Sequence, residues 1–532
     1  MPKGKSVSQM SLEKMGASLV FPAILVLLCI STSPVAAQES AASEDRLPDD
    51  SPIVSHHQIT VSGKPLSYTA RAGFLSLFTD ARELKARMFY VSYSLDRPKN
   101  AAPRALTFAW NGGPGSPAAT LHLAILGPKR AKTMDEYKSP PPPYEIVDNE
   151  DTWLNFTDLV LVDPVGTGYS YPAKTDYLKE FWNVAGDIDS IGEFIRIYQS
   201  HYDVSDAPLF ICGESYGTIR AAGLTKVLAD RRIPLSGVIL ISMGGLIRGL
   251  SANDDLSAAL IIPSYTATAF FHKKLAADLQ TDFQTTLRYS ETWAQSDYVV
   301  ALVKGDRLTS SERDAVVQQL ARFTGLDPAF VAKTNLRISV DQFARQLLRD
   351  RGLELGHYSA DLTSKLPPDN VPYDVWSDPS LVSNGVAALI VPYLRSELGF
   401  RSDARYAGPW GGGWPSPKTP RGDWTYQRFD FGPTGWNFTV FQDLADTMRR
   451  NQSLRVFVAH GYYDFVTPYF AAEYAISHMG LDPALRRNVL LKNYFGGHSM
   501  YTEKPTLTRM SNDVGEFIRT TTPAKRPTPS VQ

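Results

Sequence analysis

The chain has 532 residues, 43% of them apolar, enough to bury a large core as one big domain with an insertion or as two to three domains. Its 54 basic and 55 acidic side chains leave a formal charge of −1, and the basic ones form no runs. That balance argues against nucleic acid or an anionic membrane surface as a partner.

Lys3, Lys5 and Lys14 precede an apolar run over 17–30, and small residues follow as far as Ala37. Basic head, short apolar middle and small residues at the cut predict a secretory signal peptide over 1–37. The alternative is a retained anchor, but the run is shorter than the ~20 residues a bilayer span needs, so no stable membrane insertion is expected after cleavage. Cys29 lies inside this segment, which leaves Cys212 alone in the mature chain. No internal disulfide can then form, and stability must come from the core. An exported chain without disulfides points to a bacterial periplasm or the medium. Residues 38–57, rich in Ser, Glu, Asp and Ala, are expected to form a mobile leader.

From Gln58 the pattern alternates, with a turn at Ser62-Gly63, and residues 86–93 read as a further strand. A strand over 106–110 runs into Asn111-Gly112-Gly113-Pro114-Gly115-Ser116. That loop is either a tight connection or a place where backbone amides approach a ligand closely. Residues 159–162 form a wholly apolar strand of the buried parallel kind, ending in Asp163-Pro164-Val165-Gly166-Thr167-Gly168. No Gly-Lys-Ser/Thr follows, so this is not a phosphate loop.

After a helix over 187–199, a short apolar strand over 209–212 meets Gly213-Glu214-Ser215-Tyr216-Gly217 and then a segment with apolar positions at Ile219, Leu224, Val227 and Leu228. Strand, sharp turn and helix are the context of a nucleophile elbow, in which flanking glycines avoid collisions and a strained serine is pushed above the sheet. The motif alone arises by chance about once in six or seven chains this long, so the context carries the reading. A second buried strand over 237–242 completes an alternating strand and helix order, which predicts a mostly parallel sheet with helices on both faces. In such folds one oxyanion-binding amide comes from the residue after the nucleophile and one from a glycine loop, here Tyr216 and Gly113.

Residues 251–427 read as mainly helical, an inserted cap between a first core part over 58–250 and a second over 428–522. The Gly- and Pro-rich stretch over 406–424 is a long loop that borders the pocket or closes the insertion, and 523–532 is a disordered tail. A nucleophilic serine needs a base and an acid, each on a loop after a late strand. Asp464 follows the strand over 454–458 and His498 follows that over 489–491. Of nine histidines, four precede Ser215, His272 and His357 fall in the cap and His478 in a helical segment. His460 is the rival, but it stands before the candidate acid. Asp464 could otherwise be an ordinary turn residue. No His-x-x-x-His or paired-Cys spacing supports a metal, and no cofactor is expected.

Trp110-Asn111-Gly112-Gly113-Pro114-Gly115-Ser116, Asp163-Pro164-Val165-Gly166-Thr167-Gly168-Tyr169-Ser170-Tyr171, Gly213-Glu214-Ser215-Tyr216-Gly217, Gly461-x-x-Asp464-x-x-x-Pro468 and Gly497-His498 resemble, in order, the five signature blocks of the serine carboxypeptidases. The resemblance implies an α/β-hydrolase fold, a triad of Ser215, Asp464 and His498, and activity on peptides favoured at acid pH. It also implies that Asn111, the Gly112 amide and Glu214 would bind the substrate's terminal carboxylate, a contact that weakens with rising pH because two carboxyl groups share a site only when one is protonated. Three departures stand out. Ile125 occupies the place of a second glutamate, Pro164 directly follows Asp163 where the family commonly has an intervening Gln, and Ser116 replaces a cysteine. They leave the triad intact and bear on exopeptidase specificity. The alternatives are an esterase or acyltransferase using the same triad, or a non-catalytic binding protein of the same fold.

Overall fold

In the computed structural model, residues 50–98, 101–132, 143–244, 255–374, 377–382, 385–408 and 439–522 are described. The segment over 1–37 expected to be a signal peptide, the tail over 523–532 and most of the Gly- and Pro-rich loop lie outside them. Nine strands make the main path of one sheet: β1 (Ile53–Val61), β2 (Lys64–Phe78), β3 (Leu84–Leu95), β4 (Leu106–Trp110), β5 (Asp158–Val162), β6 (Leu209–Glu214), β7 (Gly237–Ile241), β8 (Arg455–Gly461) and β9 (Val489–Tyr494). Their spatial order is β1-β2-β3-β5-β4-β6-β7-β8-β9. β1, β2 and β3 pair antiparallel, β3 pairs antiparallel with β5, and β5 through β9 run parallel.

The first hairpin turns at Ser62 and Gly63, both at positive φ, as a two-residue turn between right-twisting strands requires. The predicted leader over 38–57 is corrected here: residues from Ile53 onward belong to β1. β1 is an edge strand with largely exposed side chains, so its polar composition resembles that of an unfolded segment.

Alternation along the parallel strands distributes the core between two faces. Phe108, Trp110, Val160, Ile211, Val238, Leu240, Val456 and Val458 pack on one side with helix α1 (Val184–Tyr202), helix α2 (Tyr216–Asp230) and the helix Thr439–Arg450. Ala109, Leu161, Phe210, Cys212, Ile239, Ile241 and Phe457 face the opposite way, against the helices Val386–Ser396 and Lys504–Thr521. Cys212 is fully buried in this second cluster, and burial, with Glu214 nearby, pushes its thiol well up. That is the state of a packing residue rather than a nucleophile.

Between β7 and β8 the described residues are mainly helical, including Ile262–Phe271, Phe283–Trp293, Ser310–Thr324 and Val340–Gln346. These helices enclose a third apolar cluster, which also takes in Tyr462, Tyr463, Phe465, Tyr469 and Phe470. The insertion therefore shares its core with the segment that follows β8. No helix among the described residues is long and apolar enough to cross a membrane.

Candidate active site

β6 ends at Glu214 and α2 begins at Tyr216, leaving Ser215 as the N-terminal cap residue with φ 56° and ψ −128°. A non-glycine residue at positive φ carries strain, held here because the Ser215 N–H donates to the Ile241 carbonyl at 2.9 Å and its own carbonyl accepts from Thr218 Oγ1 at 2.7 Å. The flanking glycines are sterically required. A Cβ on Gly213 would lie 2.0 Å from the Gly217 carbonyl oxygen, and one on Gly217 would lie 2.9 Å from the Trp110 ring.

The loop after β4 is pressed against this elbow. A Cβ on Gly112 would stand 2.5 Å from the Tyr216 amide nitrogen and 2.6 Å from the Glu214 carbonyl. Trp110 Nε1 donates to the Gly217 carbonyl at 2.9 Å, and Arg220 Nη1 donates to that of Asn111, also at 2.9 Å. Arg220 is in turn held by Asp187 of α1 at 2.9 Å, with both side chains almost wholly buried. This buried ion pair ties α1, α2 and the glycine loop together. The sequence reading missed it because both residues look like ordinary polar positions on amphipathic helices. The Gly113 loop and the first amides of α2 are thus neighbours, the arrangement an oxyanion-binding pair needs.

Asp464 and His498 meet. His498 Nδ1 lies 2.8 Å from Asp464 Oδ2, and the two side chains are 8% and 0% exposed. Asp464 is further fixed by the Val466 and Thr467 amides on Oδ1 at 2.8 and 2.9 Å and by the Thr467 hydroxyl on Oδ2 at 2.5 Å. Burial works to raise the Asp464 carboxyl, but His498 and these donors outweigh it and hold it below its ordinary value. For His498, burial works to lower the imidazole, and Asp464, aided by Glu214 and Asp378, more than offsets this and leaves it raised. The Asp464 carboxyl is therefore held ionised against the His498 ring, the arrangement that an orienting acid and a base require.

Ser215 Oγ makes no hydrogen bond to His498 in this structure. The two residues approach through β7: the Ser215 N–H binds the Ile241 carbonyl, and the next residue, Ser242, donates its hydroxyl to the His498 carbonyl at 2.5 Å. Hydrogen bonds between a nucleophile and its base are commonly long or absent without substrate. The rival His460 is fully buried, accepts from the Met243 amide at 3.3 Å, and is pushed down to about 4 by burial. It sits in the sheet as a neutral core residue.

Asn111 and Glu214 are also brought together. Asn111 Nδ2 donates to Glu214 Oε2, while Asn111 Oδ1 accepts from the Leu121 amide at 3.0 Å. Glu214 Oε1 accepts from the Tyr501 hydroxyl at 2.5 Å and from Ser499 Oγ at 3.3 Å. Ile125 is buried in the apolar cluster of the second sheet face. Where the resemblance led one to look for a second carboxyl, Glu214 is supported by a phenol from the segment just after His498. Tyr501 escaped the sequence reading because it stands 287 positions from its partner.

Comparison with known proteins bears on the first half of this geometry. Residues 62–319 match the family model for serine carboxypeptidases. That span holds the glycine loop, Glu214, Ser215 and Tyr216, and stops short of Asp464 and His498. The chain is 31% identical over 170 residues to the pheromone-processing carboxypeptidase kex1 of Aspergillus niger, covering 30% of this chain and 26% of that relative. With the retinoid-inducible serine carboxypeptidase of Rattus norvegicus it shares 25% identity over 286 residues, 53% of this chain and 58% of the relative. The chain thus spans between about a quarter and under two thirds of these curated relatives' lengths. The crystal structure of Kex1(delta)p, a prohormone-processing carboxypeptidase from Saccharomyces cerevisiae, superposes with a TM-score of 0.52 at 13% identity, covering 85% of this chain and 91% of that one. The fold is that of the α/β-hydrolases. The sequence expectation of a bacterial source finds no support in these fungal and mammalian relatives.

Proposed function

We propose that the chain is an exported serine carboxypeptidase that releases C-terminal residues from peptides through an acyl-enzyme on Ser215. The reading rests above all on the buried Asp464–His498 pair, which follows the C-terminal ends of β8 and β9 as the strained Ser215 follows that of β6, in strands that run parallel. In the proposed cycle Ser215 Oγ attacks the scissile carbonyl carbon while His498 Nε2 takes its proton. Asp464 holds the Nδ1–H tautomer and stabilises the imidazolium. The amides of Gly113 and Tyr216 receive the negative oxygen of the tetrahedral intermediate. His498 then gives the proton to the departing amine, and water, deprotonated by the same imidazole, releases the acyl group. Asn111, the Gly112 amide and Glu214 would receive the substrate's terminal carboxylate, with Tyr501 and Ser499 fixing Glu214.

The decisive experiment is a series of N-blocked dipeptides with free, amidated or esterified C-termini. Hydrolysis of the free-acid peptides with little turnover of the amides supports the reading. Equal turnover of amides, or turnover of esters alone, would replace it with an esterase or acyltransferase, and a Ser215 unreactive to fluorophosphonates would leave a binding protein. Export to a periplasm or the medium is proposed from the basic and apolar N-terminal pattern, and N-terminal sequencing of the mature protein starting at Gln38 would bear it out.

A further inference from the structure

The loop that carries His498 is held by a segment of the insertion. The His498 N–H donates to the Tyr358 carbonyl at 2.5 Å, and the two rings meet edge to face at 5.3 Å. Gly497 has no room for a side chain, since a Cβ would meet the Tyr358 carbonyl at 2.2 Å and Ser359 Oγ at 2.3 Å. The same segment grips the acid's loop: the Ala360 N–H donates to the Tyr463 carbonyl at 3.0 Å and the Phe465 N–H to that of His357 at 3.1 Å. Residues 357–360 thus bridge both loops that position the base and its orienting acid.

That bridge ends in two carboxyl groups. Asp361 and Glu503 face each other closely enough for a side-chain hydrogen bond, which two carboxyl groups can form only by sharing a proton. Asp361 Oδ1 also accepts from Ser359 Oγ at 2.7 Å, and Glu503 Oε1 lies against Gly496 of the His498 loop, 3.1 Å from where a Cβ would stand. Neither carboxyl forms an ion pair among the described residues. Lys504, next to Glu503, is turned to Asp151 and Glu150. His272, beside Asp361, donates Nε2 to the Ala360 carbonyl at 2.8 Å, and burial pushes its imidazole down. Arg351 donates to the His272 carbonyl, and Asp378 accepts from the amides of His357 and Tyr358.

Resting on the reading of His498 as the base, we propose that Asp361 and Glu503 are positioning residues, a proton-sharing clamp that fixes residues 357–361 against the His498 loop and loosens as pH rises. Burial first, and then Asp361, push the Glu503 carboxyl up to about 10. The sign follows: the clamp is present in full below the ordinary carboxyl value of 4.5, weakens as pH rises above it, and is lost by about 10. A raised His498 alone favours activity at higher pH, so this clamp is a source of acid preference separate from the base and from Glu214.

The test compares wild type with E503Q and D361N, which replace the shared proton by an amide that donates at every pH, and with E503A, which has no tie. Fluorophosphonate labelling of Ser215 and hydrogen exchange at the His498 and Ala360 amides are followed from about pH 4 to about pH 9. Relative to their own values at the acid end, E503Q and D361N should label about tenfold faster than wild type at the alkaline end, and protection of the two amides should fall with pH in wild type but not in the amide variants. E503A should lose protection throughout. Superimposable profiles for all four proteins, or full protection in E503A, overturn the clamp. Exchange needs no catalysis, so if peptides are not cleaved the carboxypeptidase reading falls while the clamp is still decided.

Discussion

Replacing Arg220 by methionine should be among the most damaging single changes outside the triad. The substitution keeps the unbranched stem and removes the guanidinium, so it leaves Asp187 buried without its partner at 2.9 Å and Asn111 without a donor to its carbonyl. Removing one member of a buried ion pair costs about 3–5 kcal/mol, and losing the second hydrogen bond adds about 1 kcal/mol. A loss of about 4–6 kcal/mol is a large part of the 5–15 kcal/mol by which proteins are typically stable. The deficit should also depend on pH. Burial already raises the Asp187 carboxyl above its ordinary 3.8, with Arg220 working against that rise. Without Arg220 the carboxyl moves further up, so the native state retains a proton that the unfolded chain releases. The deficit relative to wild type should therefore be smallest on the acid side and grow, by up to about 1.4 kcal/mol per pH unit, once the pH exceeds the already raised value of Asp187 in the wild type. Urea unfolding of wild type, R220M and D187N/R220M at about pH 4.5 and about pH 7.5 measures this, and the double variant should recover about half the loss at the higher pH. An R220M within about 1 kcal/mol of wild type at neutral pH, or a deficit equal at both pH values, would refute the reasoning.

Ser215→Gly relieves a strained backbone worth about 1–3 kcal/mol against about 0.5–1 kcal/mol of extra glycine entropy, so its thermal midpoint should rise by about 1–3 °C while fluorophosphonate labelling disappears. A lowered midpoint counts against the strain. Asp464→Asn should reduce kcat by about 10³–10⁴-fold with KM little changed. Because Asp464 offsets the lowering effect of burial on His498, the acidic limb of the residual activity should move to lower pH, and a limb left in place would show that Asp464 does not set the imidazole's charge. Tyr501→Phe removes the hydroxyl 2.5 Å from Glu214, so KM for free-acid peptides should rise about 5- to 20-fold while the rate of Ser215 labelling stays near wild type. An equal fall in labelling would place Tyr501 in support of the elbow instead.

The parts of the molecule legible in the sequence are those whose chemistry is local. Gly213, Gly217 and Ser215 announce themselves because a strand must turn into a helix within a few residues, and the structure shows the collisions that enforce the glycines. The alternating and continuous apolar runs likewise mark the strands of the parallel sheet and its two faces. What stayed hidden depends on groups that meet only in three dimensions. Arg220 and Asp187, Tyr501 and Glu214, and Asp361 and Glu503 are each ordinary in their own windows, and none follows a period or spacing. The start of β1 was misjudged for a related reason, since an exposed edge strand buries too little on either side to write an apolar pattern.

The shared third core has a mechanical consequence. Aromatic rings from the acid-bearing loop, Tyr462, Tyr463 and Phe465, are packed among the inserted helices as though the two were one body. Hinged movement of the inserted helices would drag out the rings that flank Asp464. Heating that melts those helices should therefore part Asp464 from His498 in the same transition, with no separate earlier step.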